Sequence, residues 1–174
     1  MKGKLTVLAL MLLLCLSMVP LAPEASAEDY GWVDEGPMNF GRTSFVSTML
    51  PDGTIFVAFG YNAEISERLY SAQINDLETG AITAVAAAPE RLESATGAYL
   101  NGRVYVFGGM NETSYWQDTT LLYDFDTDSW SASQDLPYEG YFMRCAAVDD
   151  ENILLVGGYN YGDMAVDSCY LFNV

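Results

Sequence analysis

Short apolar runs that end at a glycine recur along this chain at a constant interval. The clearest run follows the turn Asn101-Gly102, extends from Arg103 to Phe107 and stops at Gly108-Gly109. An Asn-Gly turn before such a run, with glycine at its exit, predicts a buried β-strand that leaves a tight hairpin. The second glycine of the pair recurs 49 residues earlier as Gly60 and 49 residues later as Gly158.

A second marker has the same period. Trp32, Ala81 and Trp130 also lie 49 residues apart. Each interval contains four short strand signals separated by turn residues. This pattern predicts an all-β protein built from repeated units of about 50 residues.

The middle copy carries a family pattern. R-L-E-S-A-T-G-A-Y-L-N-G-R-V-Y-V-F-G-G, from Arg91 to Gly109, and Y-D-F-D-T-D-S-W, from Tyr123 to Trp130, resemble a complete kelch repeat. The first copy departs from it at Phe59, which replaces a glycine, and at Ala81, which replaces the tryptophan. The resemblance covers nearly everything after residue 30 and implies a partial kelch-type β-propeller, in which each repeat is one four-stranded blade.

The repeat period assigns strands to three blades, with units near 42–88, 91–137 and 144–174 plus 28–41. The second blade is expected to run from Ser94 to Ser133. The expected strands of the other two are Thr43–Leu50, Thr54–Phe59, Arg68–Ile74 and Ala81–Ala87 in the first, and Cys145–Val148, Ile153–Val156 and Cys169–Phe172 in the third. The alanine-rich segment from Ala81 to Ala87 has helical propensity, but its position in the period predicts a strand.

Residues 28–41 contain one strand signal, around Trp32. Because Trp32 aligns with Trp130, we expect an outermost fourth strand that arrives without the other three strands of its blade. The kelch resemblance implies that such a leading strand completes the last blade. Three blades do not close a ring, since propellers use about four to eight. Either the chain has further blades in a longer propeller, or two copies form a head-to-tail homodimer with a six-bladed ring.

The first 27 residues have the features of a secretory signal peptide. Lys2 and Lys4 precede an apolar run from Leu5 to Val19, and Ala25-Ser26-Ala27 provides the small residues of a cleavage site. The run is shorter than the ~20 residues that span a bilayer. We therefore expect residues 28–174 to be secreted or extracellular, with the cell surface as the alternative and without membrane insertion once the leader is removed.

The expected mature chain is strongly acidic. Without the leader it has five arginines against 23 acidic residues, a net charge near −18. This charge disfavours nucleic acid and anionic membranes as partners. Cys145 and Cys169 are expected on alternate strands, roughly 9 to 10 Å apart, whereas a disulfide needs Cα atoms within about 7 Å. We therefore expect two free thiols.

The chain contains no histidine. This excludes Ser-His-Asp and Cys-His nucleophiles, histidine metal sites and a copper centre like that of the galactose oxidase group of kelch-like propellers. We expect no cofactor. Carboxylate pairs of the glycosidase type remain open, and kelch-like sugar-acid isomerases make a histidine-free enzyme the main alternative to a non-catalytic protein.

Asp124, Asp126 and Asp128 alternate as in a calcium-binding loop. The sixth loop position is Ser129, whereas such loops require glycine there. Aspartate also closes tight turns by accepting local backbone hydrogen bonds. We therefore expect a turn and no metal site.

Candidate binding residues cluster just beyond the glycine exits. Three asparagines recur there, Asn62, Asn111 and Asn160, with turn formation as the alternative to a ligand contact. The loops that follow are rich in aromatic residues, Tyr159 among them, and the binding candidates are Tyr61, Tyr115, Trp116 and Tyr161. Such rings suit stacking on sugar rings or on a peptide, and packing between blades is the alternative.

Arginines precede the first strand of each repeat, at Arg42, Arg91 and Arg144. Each is expected either to hold a carboxylate near the central channel or to contribute to an anion-binding ring at the axis.

Together these observations predict a secreted kelch-repeat binding module without catalytic residues. It would recognise protein or carbohydrate through aromatic-rich loops on one propeller face. The alternatives are a histidine-free enzyme acting on sugar acids or glycans and a structural component of the cell surface.

Overall fold

The computed structural model describes residues 31–34, 36–162 and 164–174, and every regular element among them is a β-strand. The chain separates into two compact units, Met1–Asp34 and Glu35–Val174, and the described strands all belong to the second. The predicted signal peptide lies outside the described residues. Residues 31–34 have no regular structure and the Trp32 side chain is fully exposed, so the strand predicted around Trp32 is not formed there.

The first blade is a four-stranded antiparallel sheet extended by a short ladder. Its strands are β1 (Val46–Met49), β2 (Ile55–Ala58), β3 (Tyr61–Asn62), β4 (Glu67–Arg68), β5 (Ala72–Asn75) and β6 (Ile82–Val85). The sheet order is β1-β2-β5-β6, and β3 pairs with β4 beyond it. Strand β6 confirms the prediction for the alanine-rich segment, because pairing with β5 outweighs alanine's helical propensity.

The second blade repeats this arrangement. Its strands are β7 (Thr96–Leu100), β8 (Arg103–Phe107), β9 (Met110–Asn111), β10 (Tyr115–Trp116), β11 (Thr120–Asp124) and β12 (Ser129–Ala132). Strands β7, β8, β11 and β12 form the sheet in that order, and β9 pairs with β10 beyond it. The turn Asn101-Gly102 joins β7 to β8, and both residues have positive φ, 51° and 77°, as such a hairpin requires.

The third blade has three sheet strands in the described part of the chain. Its elements are β13 (Gly140–Tyr141), β14 (Arg144–Ala147), β15 (Asn152–Val156), β16 (Tyr159–Asn160) and β17 (Cys169–Asn173). The sheet order is β14-β15-β17, and β13 pairs with β16. Cys145 and Cys169 lie on the two strands that flank β15, and both are free, which confirms the prediction of two thiols.

Strand register corrects one alignment made from spacing alone. In the first blade, Asn75 pairs with Ile55 on one side and with Ile82 on the other. In the second blade, Tyr123 pairs in the same way with Val104 and Trp130. The counterpart of Trp130 is therefore Ile82, not Ala81. The spacing missed this because the first blade has one more residue between β2 and β5 than the second blade has between β8 and β11.

The hydrophobic core fills the space between successive sheets. Between the first and second sheets, the fully buried Phe56 lies 5.1 Å from the ring of Tyr123 and 6.3 Å from that of Trp130. Between the second and third sheets, Phe107 meets Phe172 edge to face at 5.3 Å. Three antiparallel sheets packed in chain order, with β1, β7 and β14 adjacent, form the partial β-propeller that the repeat predicted.

The connections between strands fall on two faces. On one, which we call the loop face, the chain entering each blade pairs with the segment that follows its glycine exit, as in the bridge of Thr43 with Tyr61 and the pairing of β13 with β16. The other, the turn face, carries tight turns. Four aspartates close these turns by accepting the backbone N–H two residues ahead: Asp52, Asp76, Asp124 and Asp149.

Candidate ligand-binding surface

An aromatic surface lies on the loop face where the second and third blades meet. We define it as Tyr115 and Trp116 on β10 together with Tyr161 in the loop after β16. The rings of Trp116 and Tyr161 meet edge to face with centroids 5.0 Å apart, and the Tyr115 ring lies 6.0 Å from that of Trp116. Tyr115 is 61% exposed and Tyr161 72%. A ligand can therefore reach both tyrosine rings while Trp116 holds them together.

The recurring asparagines build the turns that carry the loops. The Oδ1 atoms of Asn62 and Asn111 each accept hydrogen bonds from the backbone N–H groups two and three residues ahead, at 2.9 to 3.3 Å. The side-chain NH2 of Asn160 donates to the carbonyls of Tyr161 and Met164, both at 3.1 Å. All three asparagines therefore form turns, which was the alternative to a ligand contact. A ligand contact by any of them stays a prediction.

Tyr61 occupies a different blade from the aromatic surface. It lies on β3 of the first blade, is half-buried, and exchanges two backbone hydrogen bonds of 2.9 Å with Thr43. The structure therefore brings three of the four aromatic candidates together and leaves Tyr61 apart from them.

A second group of rings on the loop face includes two residues that sequence reasoning missed, Tyr141 and Phe142. Tyr141 stacks on Tyr159 with centroids 5.6 Å apart, and the Tyr141 and Phe142 rings lie 5.2 Å apart. Phe142 and Tyr159 are exposed. The available signal was the Tyr-Phe pair just before the third blade's first strand. This pair precedes its strand, whereas the aromatic residues predicted from the sequence all follow a glycine exit.

Arg42 has a structural environment. It is 7% exposed, and its Nη1 donates to the carbonyl of Phe59 at 3.0 Å. Its Nη2 donates to Ser71 Oγ at 3.2 Å and to Gln73 Oε1 at 3.4 Å. Burial lowers the pKa of this guanidinium from its ordinary value. Its partners in these bonds are neutral oxygens, not the carboxylate that was one expectation.

The other two predicted arginines have different surroundings. Arg91 pairs with Glu67 at 2.7 Å and its guanidinium lies 4.8 Å from the ring centroid of Tyr70. Arg144 is exposed and donates to the carbonyl of Met143 at 3.0 Å. Only Arg144 lines the groove formed by the first strands. The ring of three arginines proposed at the axis is therefore not assembled by this chain.

That groove is open and measures about 510 Å³. Its wall consists of serines, a threonine, apolar residues and Arg144, and no aspartate or glutamate contributes to this lining. Cys145 also lines the groove, but burial raises the pKa of its thiol to about 11. At neutral pH this cysteine is a thiol rather than the reactive thiolate.

The alternating aspartates serve a turn and a contact between blades. Asp124 pairs with Arg103 at 3.0 Å, and this bond, with two backbone N–H donors, holds the pKa of Asp124 below its ordinary value. Asp128 Oδ1 accepts from the N–H of Ala86 in the first blade at 2.8 Å and from the Tyr123 hydroxyl at 2.7 Å. These bonds confirm the turn prediction.

The described part of the chain lacks a metal-binding cluster and a membrane-spanning helix. Residues 31–34, 36–162 and 164–174 contain no group of three or more His, Cys, Asp or Glu that could hold a metal ion. Within the same ranges, no helix has the length and apolar character needed to cross a membrane.

Comparison with known proteins places the repeat in a family. The family model described as the Kelch motif matches residues 92–137, which contain the whole second blade. The Kelch-like protein terF of Aspergillus terreus is 35% identical over 95 residues, which are 51% of this chain and 20% of that protein. The match thus spans about a fifth of the relative's length.

Proposed function

Because this chain is a kelch-repeat protein, we propose that it is a non-catalytic interaction module that binds a protein partner through its aromatic surface. The proposal combines what kelch repeats generally do, which is to mediate protein binding, with the position of the rings on this chain.

One observation carries the proposal: two tyrosines that are more than half exposed are fixed by a tryptophan shared between two blades. Exposed aromatic side chains that are held rigid lose little conformational entropy on binding. This is why tyrosine and tryptophan dominate the energetics of protein interfaces. Loops on a rigid scaffold are also the usual position of binding residues.

Acidic residues near the aromatic surface favour a basic partner. The hairpin that carries Tyr115 and Trp116 also contains the exposed Glu112, and Asp118 follows it. The whole chain has a net charge of −17. Charged rims steer encounters with oppositely charged surfaces. The partner is therefore a protein segment with an apolar anchor for the rings and basic residues around it.

The enzyme alternative has less support. A carboxylate-based mechanism needs two acidic groups that converge in a pocket. The groove along the first strands is open and has Arg144 but no carboxylate in its lining. The aromatic surface, in contrast, is exposed, as a binding module requires.

Peptide selection tests the proposal. A phage-displayed peptide library would be selected on the immobilised chain, and the affinity of the enriched peptides measured by titration. Trp116→Ala and Tyr161→Ala should each weaken binding by at least tenfold, as expected for interface hot spots worth more than about 1.4 kcal/mol. Phe40→Ala removes a ring of 50% exposure elsewhere and should leave the affinity unchanged. Equal affinity of the Trp116→Ala variant would refute the assignment.

Carbohydrate is the second candidate ligand, favoured by the hydroxyl groups on the two exposed rings, Tyr115 and Tyr161. A panel of neutral and acidic oligosaccharides would be titrated while tryptophan fluorescence is followed. A response that Trp116→Phe changes, together with failure of the peptide selection, would replace the protein partner with a glycan.

We also propose that the chain is exported. The support is the leader pattern in residues 1–27, and the secreted form would begin at Glu28.

A further inference from the structure

Successive blades are joined by a repeated set of backbone hydrogen bonds on the loop face. At the first junction, the N–H of Ser94 donates to the carbonyl of Ser44 at 2.8 Å. The N–H of Gly60 donates to the carbonyl of Leu92 at 2.9 Å, and the N–H of Leu92 donates to the carbonyl of Leu69 at 3.3 Å. In two of these bonds the later blade provides the N–H donor, and in the third the earlier blade provides it.

The second junction has the same three bonds at equivalent positions. The N–H of Phe142 donates to the carbonyl of Ser94 at 2.9 Å. The N–H of Gly109 donates to the carbonyl of Gly140 at 2.8 Å, and that of Gly140 donates to the carbonyl of Gln117 at 2.9 Å. Even the strained backbone recurs, because Ser44, Ser94 and Phe142 have φ of 53°, 59° and 54°. The junction is thus a repeated structural unit.

Both end blades carry one half of a third such junction. The third blade presents the carbonyls of Phe142 and Val166 and the N–H of Gly158. The first blade presents the N–H groups of Ser44 and Arg42 and the carbonyl of Arg42. Within the part of the chain that the structure describes, no hydrogen bond uses these six groups. The donors and acceptors of the two halves are complementary.

The third sheet also exposes an apolar face that is buried in the second sheet. Leu154 and Val156 occupy the positions that Tyr105 and Phe107 occupy in the second sheet, 49 residues earlier. Tyr105 and Phe107 are buried by the following blade, whereas Val156 is exposed and Leu171, which pairs with Leu154, is 60% exposed. An apolar face that is core in one blade is therefore open in the next.

The first sheet presents the matching face. Its Met49, Ile55 and Ile82 are the counterparts of Tyr99, Val104 and Trp130, which pack between the first and second sheets. Met49 is 67% exposed. The chain thus carries both surfaces of a blade junction at opposite ends of its arc.

We infer that the occupant of both faces is a second copy of this chain, joined head to tail to form a closed six-bladed ring. Each of the two new junctions would use three bonds: Ser44 N–H to the partner's Phe142 carbonyl, Arg42 N–H to the partner's Val166 carbonyl, and the partner's Gly158 N–H to the Arg42 carbonyl. Two-fold symmetry closes the ring without leaving an open face. The inference stands on the junction geometry and is independent of the ligand proposed for the aromatic surface.

Mass in solution is the first test. Sedimentation velocity of the purified chain should give twice the mass of one chain, and Leu171→Glu should give the monomer because it places a charge in the buried junction. The control is Leu77→Glu, the same change at an exposed leucine of a turn, which should remain dimeric. Circular dichroism would establish that each variant is folded.

A mixing experiment tests the head-to-tail arrangement. Met49→Glu alone should also be monomeric, since it damages the other half of the junction. An equimolar mixture of Met49→Glu and Leu171→Glu retains one intact junction, formed by the third blade of the first variant and the first blade of the second. The mixture should therefore form a heterodimer. A Met49→Glu variant that stays dimeric would show that the faces pair with themselves and would overturn the arrangement.

Hydrogen exchange provides a readout that does not depend on substitutions. In the unmodified chain, the amides of Ser44, Arg42 and Gly158 should exchange as slowly as those of Ser94, Leu92 and Gly109, which hold the internal junctions. Dilution below the dissociation constant should accelerate only the first three. A chain that is monomeric at high concentration and exchanges rapidly at those three amides would overturn the inference and assign the faces to blades of another polypeptide segment.

Discussion

At the scale of single residues, the glycine exits of the strands are required by two constraints at once. Gly109 has a φ of 102°, and a Cβ there would lie 2.8 Å from the carbonyl oxygen of Glu93 and 2.9 Å from the Cβ of Ala95. Gly80 has a φ of 69° but nothing within 4 Å of a Cβ. The first position therefore combines backbone strain with a clash, and the second has the strain alone.

Alanine substitutions separate the two constraints. Gly109→Ala should lower the free energy of unfolding by about 2 to 4 kcal/mol, and Gly80→Ala by about 1 kcal/mol. Urea unfolding followed by fluorescence gives both values. Equal losses would mean that the strand exits can relax and that close packing does not explain their glycine.

Cys145 and Cys169 should differ in reactivity. Burial keeps the thiol of Cys145 protonated up to a pKa of about 11, whereas Cys169 is exposed on β17. Iodoacetamide at pH 8 should therefore alkylate Cys169 and spare Cys145, because the thiolate is the reactive form. Peptide mass spectrometry identifies the modified residue. In denaturant both should react, and rapid labelling of Cys145 in the folded protein would contradict the raised pKa of its thiol.

At the scale of elements, the last strand of the second blade fastens that blade to the first. Trp130 on β12 donates from Nε1 to the carbonyl of Ala86 at 2.8 Å and packs edge to face on Phe59 at 5.4 Å. Trp130→Ala should cost about 3 kcal/mol, and Trp130→Phe, which keeps a ring but loses the hydrogen bond, about 1 to 2 kcal/mol. Trp116→Ala, on the loop face, should cost less than about 1 kcal/mol. Urea unfolding midpoints would rank the three variants.

Strands were predictable from the sequence, and contacts between loops were not. The period of glycine exits located the sheet strands, because each apolar run must be buried between two neighbouring blades. The period gave the wrong alignment at Ile82, where one additional residue in the first blade shifts the register. It also predicted a strand around Trp32, but residues 31–34 form none. The contact between Trp116 and Tyr161 depends on how the second and third blades pack against each other. The spacing of residues within one repeat does not predict that packing. The same limit explains why arginines at similar positions have unrelated partners.

At the scale of the whole molecule, export can be tested directly. Expression of the full sequence in a bacterial host should yield secreted protein whose N-terminal sequence begins at Glu28. Replacement of Ala25 and Ala27 by leucine should block cleavage without changing the apolar run. Secreted protein that still begins at Met1 would refute the proposed leader.

The four aspartates of the turn face give the molecule a common sensitivity to acid. Hydrogen bonds from donors of the same turn, and for Asp124 first the bond from Arg103, hold the pKa of Asp52, Asp76, Asp124 and Asp149 below the ordinary value of 3.8. A pKa lowered by folding contributes stability that is complete above the unfolded value and is lost as pH falls through the folded one. Thermal unfolding temperatures should therefore be constant above pH 5 and fall below pH 4. The double variant Asp52→Asn and Asp76→Asn should show a smaller fall, because asparagine accepts the same bonds without titrating.

Protonation of these aspartates would affect the turn face of every blade. The hairpin ends of the turn face would loosen together, and the bond from the Tyr123 hydroxyl to the Asp128 carboxylate would weaken with them. The apolar side chains packed between the sheets do not titrate and would stay associated. In strong acid we therefore expect a swollen intermediate that keeps its sheet content and binds hydrophobic dyes, rather than a random coil.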